Sequence, residues 1–199
     1  MSYDLRPTER ELSEARALAT VALDACEREY PIESPLSIAI GWTDDAGVAE
    51  EFGGVSGTTY PGGEVELAFN AGVEGWADRL GPEAARLYGE AWYRERVERV
   101  AFRWQRLLAF AAGDRLAARA VPDAPRPWRG DDPDALDARW TALRETLGSS
   151  EPPVIDRAFG GVAAAVVEEL APEGDLSALA GLTRTDVREA GDAALRELR

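Results

Sequence analysis

The feature that most constrains the fold is where the strand-like alternation of the chain ends. Residues 64–70 alternate cleanly, with Val65, Leu67 and Phe69 on one face. Residues 36–43 (Leu-Ser-Ile-Ala-Ile-Gly-Trp-Thr) read as a second strand and residues 55–60 as a third. Pro61-Gly62-Gly63 is a turn signal, so 55–60 and 64–70 are expected to form an antiparallel hairpin beside the first strand. Beyond residue 70 the spacing of apolar residues is helical. Upstream, Thr8 and Glu11 have capping-box spacing, and Leu12, Ala15, Leu18, Ala19, Ala22, Leu23 and Cys26 follow at helical intervals. That first helix is predicted to run to about Tyr30, where Pro31 and Pro35 stop it. Residues 44–51 read as an acidic loop. Pro82 suits a first helical position. Helices are predicted over 83–103, 104–120, 134–147, 153–170 and 183–198, with Thr183 as a cap and Asp186 three residues on. The proline-rich stretch 122–133 is the clearest loop. The reading is an α+β fold in a single domain over 1–199: a helix-plus-sheet part (1–70) and a mostly helical part (71–199).

Composition excludes much chemistry. The chain has no His, and all 22 of its basic residues are Arg, so it also has no Lys. A Ser-His-Asp or Cys-His nucleophile lacks its imidazole base. A Walker-type phosphate loop lacks its lysine. Zinc sites draw on Cys sulfur or His nitrogen, and Cys26 is the one such residue. No cofactor is implied. The lone cysteine excludes an internal disulfide and fits a reducing compartment. With no apolar signal core and no stretch of about 20 apolar residues, the expectation is a cytoplasmic protein with no membrane partner. Against the 22 arginines stand 37 acidic residues, for a net charge of −15 and a pI of about 4.5. Growth in molar salt favours exposed carboxylates, and a high-GC genome favours Arg over Lys; a salt-adapted archaeon is the first expectation and a high-GC bacterium the second. The charge also argues against a nucleic-acid partner.

Several local patterns have two readings each. Gly53-Gly54-Val55-Ser56-Gly57 is glycine-rich, but it leads into a strand rather than a helix, so a bend or bulge in the sheet explains it better than a phosphate cradle. Arg94, Arg96, Arg99, Arg103 and Arg106 form the one locally basic stretch; Glu90–Arg94, Arg94–Glu98 and Glu95–Arg99 have i,i+4 spacing, which predicts an ion-paired, solvated face. Asp44-Asp45 and Asp131-Asp132-Pro133-Asp134 lack the spacing of a calcium loop and read as caps and solvated loops. Glu168-Glu169 reads as the solvent edge of an apolar helix. The six tryptophans, Trp42, Trp76, Trp92, Trp104, Trp128 and Trp140, are expected mainly in the core.

The serial order of parts resembles that of zincin-like (gluzincin-type) zinc-dependent proteases, a mostly uncharacterised family. The glycine-rich hairpin would be residues 53–69, through Gly57-Thr58-Thr59-Tyr60. The metal helix would be Leu87-Tyr88-Gly89-Glu90-Ala91-Trp92-Tyr93, and the second motif Phe110-Ala111-Ala112-Gly113-Asp114-Arg115-Leu116-Ala117. Pro125-Arg126-Pro127-Trp128 would be the Pro-Trp loop, and Phe159-Gly160-Gly161 through Glu168 the late helix. The resemblance implies a metal held by two His and a Glu, with a Glu as general base. Here the metal positions fall on Gly89, Tyr93 and Ala112, and only the general-base position, Glu90, matches. Without ligands there is no metal to activate water.

Three functions follow as expectations. The first is a non-catalytic zincin-like protein that binds a peptide or protein, in a cleft including Tyr60, Glu90, Trp92 and Tyr93 or along the hairpin edge. The second is a metal-independent enzyme pairing Glu90 with Tyr93 or Tyr60. The third is a structural or interaction protein for which the cleft is irrelevant. An open polar cleft at Glu90 separates the first two from the third.

Overall fold

The computed structural model describes residues 6–130, 132–172 and 174–196. It is α+β, as the sequence pattern predicts. Helix α1 (Glu9–Glu29) opens with the expected capping box: the Glu11 backbone N–H donates to Thr8 Oγ1 at 3.3 Å, and the Thr8 N–H donates back to Glu11 at 2.6 Å. Ala15, Ala19, Ala22 and Cys26 form its buried stripe. Strands β1 (Ser37–Trp42), β2 (Val55–Thr59) and β3 (Glu64–Phe69) form one sheet in the order β1-β3-β2. β2 and β3 are the predicted antiparallel hairpin, with Val55 opposite Phe69 and Thr59 opposite Val65. β1 lies parallel to β3, and because β3 is the middle strand, β1 and β2 each have a free edge among the described residues. Val65, Leu67 and Phe69 are buried, as their alternation predicts.

Two segments of this first part differ from expectation. The acidic stretch is not all loop: Ala46–Glu51 forms a short helix, α2, capped by Asp45, which accepts from the Gly47 and Val48 N–H groups. Gly53 and Gly54 follow it with φ of 64° and 84°. They turn the chain from α2 into β2, so this glycine pair joins a helix to a strand, the reverse of a phosphate loop.

The central element is α3 (Trp76–Arg96). It begins seven residues before the predicted start, and Pro82 sits inside it. The missing Pro82 N–H costs one helical bond. Burial outweighs that cost, because α3 packs against α1, the sheet and α4 (Arg103–Ala120), and every residue from Leu80 to Tyr93 is buried. The predicted helix to Arg103 is broken: residues 97–102 are not helical. The Gln105 side chain accepts from the Ala101 and Phe102 N–H groups at 2.8 and 3.1 Å and starts α4 afresh.

Helices α5 (Pro133–Thr146), α6 (Arg157–Leu170) and α7 (Arg184–Ala194) complete the fold, with a 3-10 turn over Leu176–Gly181 that the pattern did not predict. Asp132 caps α5. α6 starts four residues later than predicted because Asp156 caps it through the Phe159 N–H. The stretch before it, with Pro152 and Pro153, is neither helix nor strand. Thr183 and Asp186 form the predicted capping box of α7; Leu198, its predicted end, lies outside the described residues, as does Asp131. Trp76, Trp92, Trp128 and Trp140 are buried as expected, whereas Trp42 is exposed. No helix among the described residues is long and apolar enough to cross a membrane.

Candidate functional site

A cleft of about 520 Å³ opens between β2 and the C-terminal half of the fold. β2 supplies one wall through Ser56, Gly57, Thr58 and Thr59. α3 supplies the floor through Glu83, Arg86, Glu90 and Arg94. α4 contributes Arg106 and Phe110, and Trp128, Ile155 and Phe159 close the far side. Gly57 lets β2 approach α3 closely: a Cβ there would lie 2.3 Å from Leu87 Cδ1 and 2.7 Å from the Glu66 carbonyl. The Thr59 hydroxyl donates to the Leu87 carbonyl at 3.3 Å, which fixes the strand over the helix.

The floor is a buried ion-pair triad. Arg86 donates through Nε and Nη2 to the two oxygens of Glu83, at 2.8 and 2.6 Å, and through Nη1 to Glu90. All three residues are buried, with side chains 5–11% exposed. The guanidinium lies 4.5 Å from the Phe110 ring centroid and 5.7 Å from that of Trp128. Burial opposes the charge on Arg86, but the facing Glu83 and Glu90 outweigh it, and its pKa is raised. A third buried carboxylate braces the cleft wall: Asp114, fully buried on α4, accepts from Trp128 Nε1 at 3.0 Å and from Arg129 at 3.2 Å.

The basic stretch is exposed at Glu95, Arg96, Glu98 and Arg99, and Arg96 and Arg103 pair with Glu95 and Glu151, but none of the three i,i+4 pairs that its spacing predicts forms. Glu90 is engaged by Arg86, on the turn before it, rather than by Arg94. Because the helix ends at Arg96, Glu98 and Arg99 lose their helical register with Arg94 and Glu95. Glu95 instead accepts from the Glu33 and Ser34 N–H groups, both at 2.8 Å. Among the described residues the Arg94 side chain has no hydrogen bond or ion pair, and its Nε is buried without a partner. Glu168 is not merely a solvent edge, since it pairs with Arg115.

Of the residues singled out in the sequence, Glu90 lies in the cleft. Tyr60 lines a neighbouring cavity, where its hydroxyl donates to Glu66 at 2.9 Å, and that hydrogen bond raises the phenol's pKa. Trp92 and Tyr93 do not line the cleft. Trp92 packs edge-on against Tyr30, and Tyr93 is fully buried, which raises its pKa. Gly89 faces α4: a Cβ on it would lie 2.6 Å from Gly113 Cα and 3.0 Å from the Ala112 carbonyl. Gly89 and Ala112 therefore meet at a contact with no room for a side chain between the helices. Among the described residues no group of three or more Asp, Glu or Cys is arranged to hold a metal ion. Glu83 and Arg86 were missed in the sequence. Their signal was a charged i, i+3, i+7 series on a helix otherwise rich in Ala, Leu, Tyr and Trp.

No protein-family model matches the chain, and no curated protein and no solved structure is significantly similar to it.

Proposed function

We propose that this chain is a non-catalytic binding protein on a zincin-like scaffold, and that it takes up an extended peptide along the free edge of β2. The observation that carries the reading is that this edge opens directly onto a preformed cleft. The phase of the ladder supports it. Tyr60 N–H bonds to the Glu64 carbonyl and Asn70 N–H to that of Gly54, so residues 54, 56, 58 and 60 bond to β3. Gly57 and Thr59 then turn their N–H and C=O groups outward, where a peptide strand can bond to them. The walls suit peptide side chains, since Phe110, Trp128, Ile155 and Phe159 are apolar and stand beside the charged floor.

The absence of histidine supports the non-catalytic part, because the scaffold's chemistry needs an imidazole at two positions. The metal-independent enzyme has less support: neither Tyr60 nor Tyr93 shares the cleft with Glu90, and Glu90 is held by Arg86. A net charge of −15 disfavours nucleic acid, and the buried, unpaired Cys26 fits a cytoplasmic setting. The acidic excess fits growth in high salt.

Two measurements test this. Peptides selected from a random pool, then N-methylated one position at a time, are expected to lose affinity at alternate positions only. Affinity indifferent to N-methylation refutes strand addition. Stoichiometric zinc in the purified protein refutes the non-catalytic reading.

A further inference from the structure

Taking the peptide reading as its basis, we propose that Arg94 receives the peptide's C-terminal carboxylate, with Arg106 as the second cation of the site, so that the bound peptide runs parallel to β2.

The cleft holds three arginines and two glutamates. Both glutamates are taken by Arg86, which leaves Arg94 and Arg106 uncompensated. Among the described residues four arginines have a buried Nε with no partner: Arg79, Arg94, Arg129 and Arg139. Three of them are anchored through their Nη atoms, Arg79 to the Gly53 and Glu74 carbonyls, Arg129 to Asp114, and Arg139 to Val154 and Asp156. Arg94 has no such anchor among the described residues. A partly buried guanidinium without an acceptor is costly, and a chain with 37 acidic residues has supplied none to it. Arg106 spends one Nη2 bond on the Ser150 carbonyl at 3.3 Å. The remaining guanidinium donors match the two oxygens of a carboxylate in a fork geometry.

The direction follows from the strand and helix together. Gly57 sits against Leu87, and Pro61, just past the end of β2, lines the cleft together with Arg94. Arg94 lies seven residues beyond Leu87, about 10 Å further along α3. β2 and α3 thus run the same way past the cleft, and Arg94 stands at the end towards which β2 points. A strand whose carboxylate reaches Arg94 must point that way too. Pro61, Arg94 and Val100 also separate this cleft from the cavity at Tyr60, so the anion site closes the peptide channel rather than lying along it.

The test uses two pools of random peptides, one with free carboxyl termini and one amidated, passed over the immobilised full chain and over its Arg94→Gln and Arg99→Gln variants. Arg99 lines only the neighbouring cavity and serves as the control. The free-acid pool is expected to be retained and the amidated pool lost. The affinity of the selected free-acid peptides is expected to fall roughly tenfold to a hundredfold in Arg94→Gln, as for a lost charge-assisted hydrogen bond, and to be unchanged in Arg99→Gln. Equal retention of both pools by the native chain overturns the carboxylate assignment and leaves the peptide reading standing; so does undiminished affinity in Arg94→Gln. Retention of only those peptides that carry an internal Asp or Glu, whatever their terminus, overturns the parallel direction. Retention of neither pool overturns the peptide reading and this inference with it.

Discussion

Replacing Arg86 by Met leaves Glu83 and Glu90 facing each other across a buried floor with no cation between them. Met approximates the length of the arginine stem, so packing changes little and the electrostatic loss dominates. Glu83 and Arg86 are each 5% exposed and Glu90 is 9% exposed, so solvent screens them weakly. Removing one partner of such a buried arrangement costs about 3–5 kcal/mol. Loss of the guanidinium over Phe110 and Trp128 adds about 1 kcal/mol. At a urea dependence of about 2 kcal/mol per molar, a total near 5 kcal/mol lowers the denaturation midpoint by about 2.5 M. Circular dichroism during urea titration measures this directly. The triple replacement Glu83→Leu, Arg86→Met, Glu90→Leu should recover most of the loss, because an apolar floor of similar volume needs no charge balance. A cost for Arg86→Met below about 1 kcal/mol, or a triple variant no more stable than Arg86→Met, would refute the reasoning that these carboxylates are desolvated and held only by Arg86.

Three further outcomes are expected. Gly89→Ala should destabilise by about 1–3 kcal/mol by thermal or urea melting, despite the better helix propensity of Ala, because the new Cβ meets backbone atoms of α4 at 2.6 and 3.0 Å; a stabilised variant would show that α3 and α4 are further apart. Trp128→Phe removes the indole donor from fully buried Asp114 and should cost about 1–3 kcal/mol while weakening ligand affinity at the cleft wall, measured by calorimetry. Burial, with Glu29 nearby, pushes the Cys26 thiol up from 9.0 to about 12, so a thiol reagent at pH 8 should label the protein only as fast as it unfolds. The same shift favours the folded state below pH 9 and ceases to do so as pH rises towards 12, so alkaline stability should fall across that window.

What the sequence revealed was what neighbouring residues decide. The Thr8–Glu11 and Thr183–Asp186 boxes and the hairpin around Pro61-Gly62-Gly63 are local, and each stands where the pattern puts it. Pro82 misled because its local cost is real, yet α3 is enclosed by α1, α4 and the sheet, and tertiary burial outweighs one missing bond. The pairing of Glu90 failed for a similar reason. Spacing allows it a partner four residues away on either side, Arg86 or Arg94. Only the position of α4, with Phe110 beneath the guanidinium, decides for Arg86. The cleft itself joins residues from 52 to 159, and no local signal links them.

The geometry of α3 also explains why the cleft and the positions expected from the resemblance to hold a metal, Gly89, Tyr93 and Ala112, cannot serve one another. Glu83, Arg86, Glu90 and Arg94 recur at intervals of three and four and form one stripe facing the cleft. Gly89 and Tyr93 are turned about 100° and 60° to one side of Glu90, towards α4. That side is closed by the Gly89–Gly113 contact and filled by Tyr93. A histidine in place of Gly89 would meet the backbone of α4 rather than an open site, and a metal could enter there only if α3 and α4 moved apart. The same close approach brings Phe110 under Arg86 and so holds the triad that forms the floor. In this chain the tight helix contact that shuts out a metal is therefore also what shapes the cleft and leaves Arg94, one turn past the triad, facing it without a counter-ion.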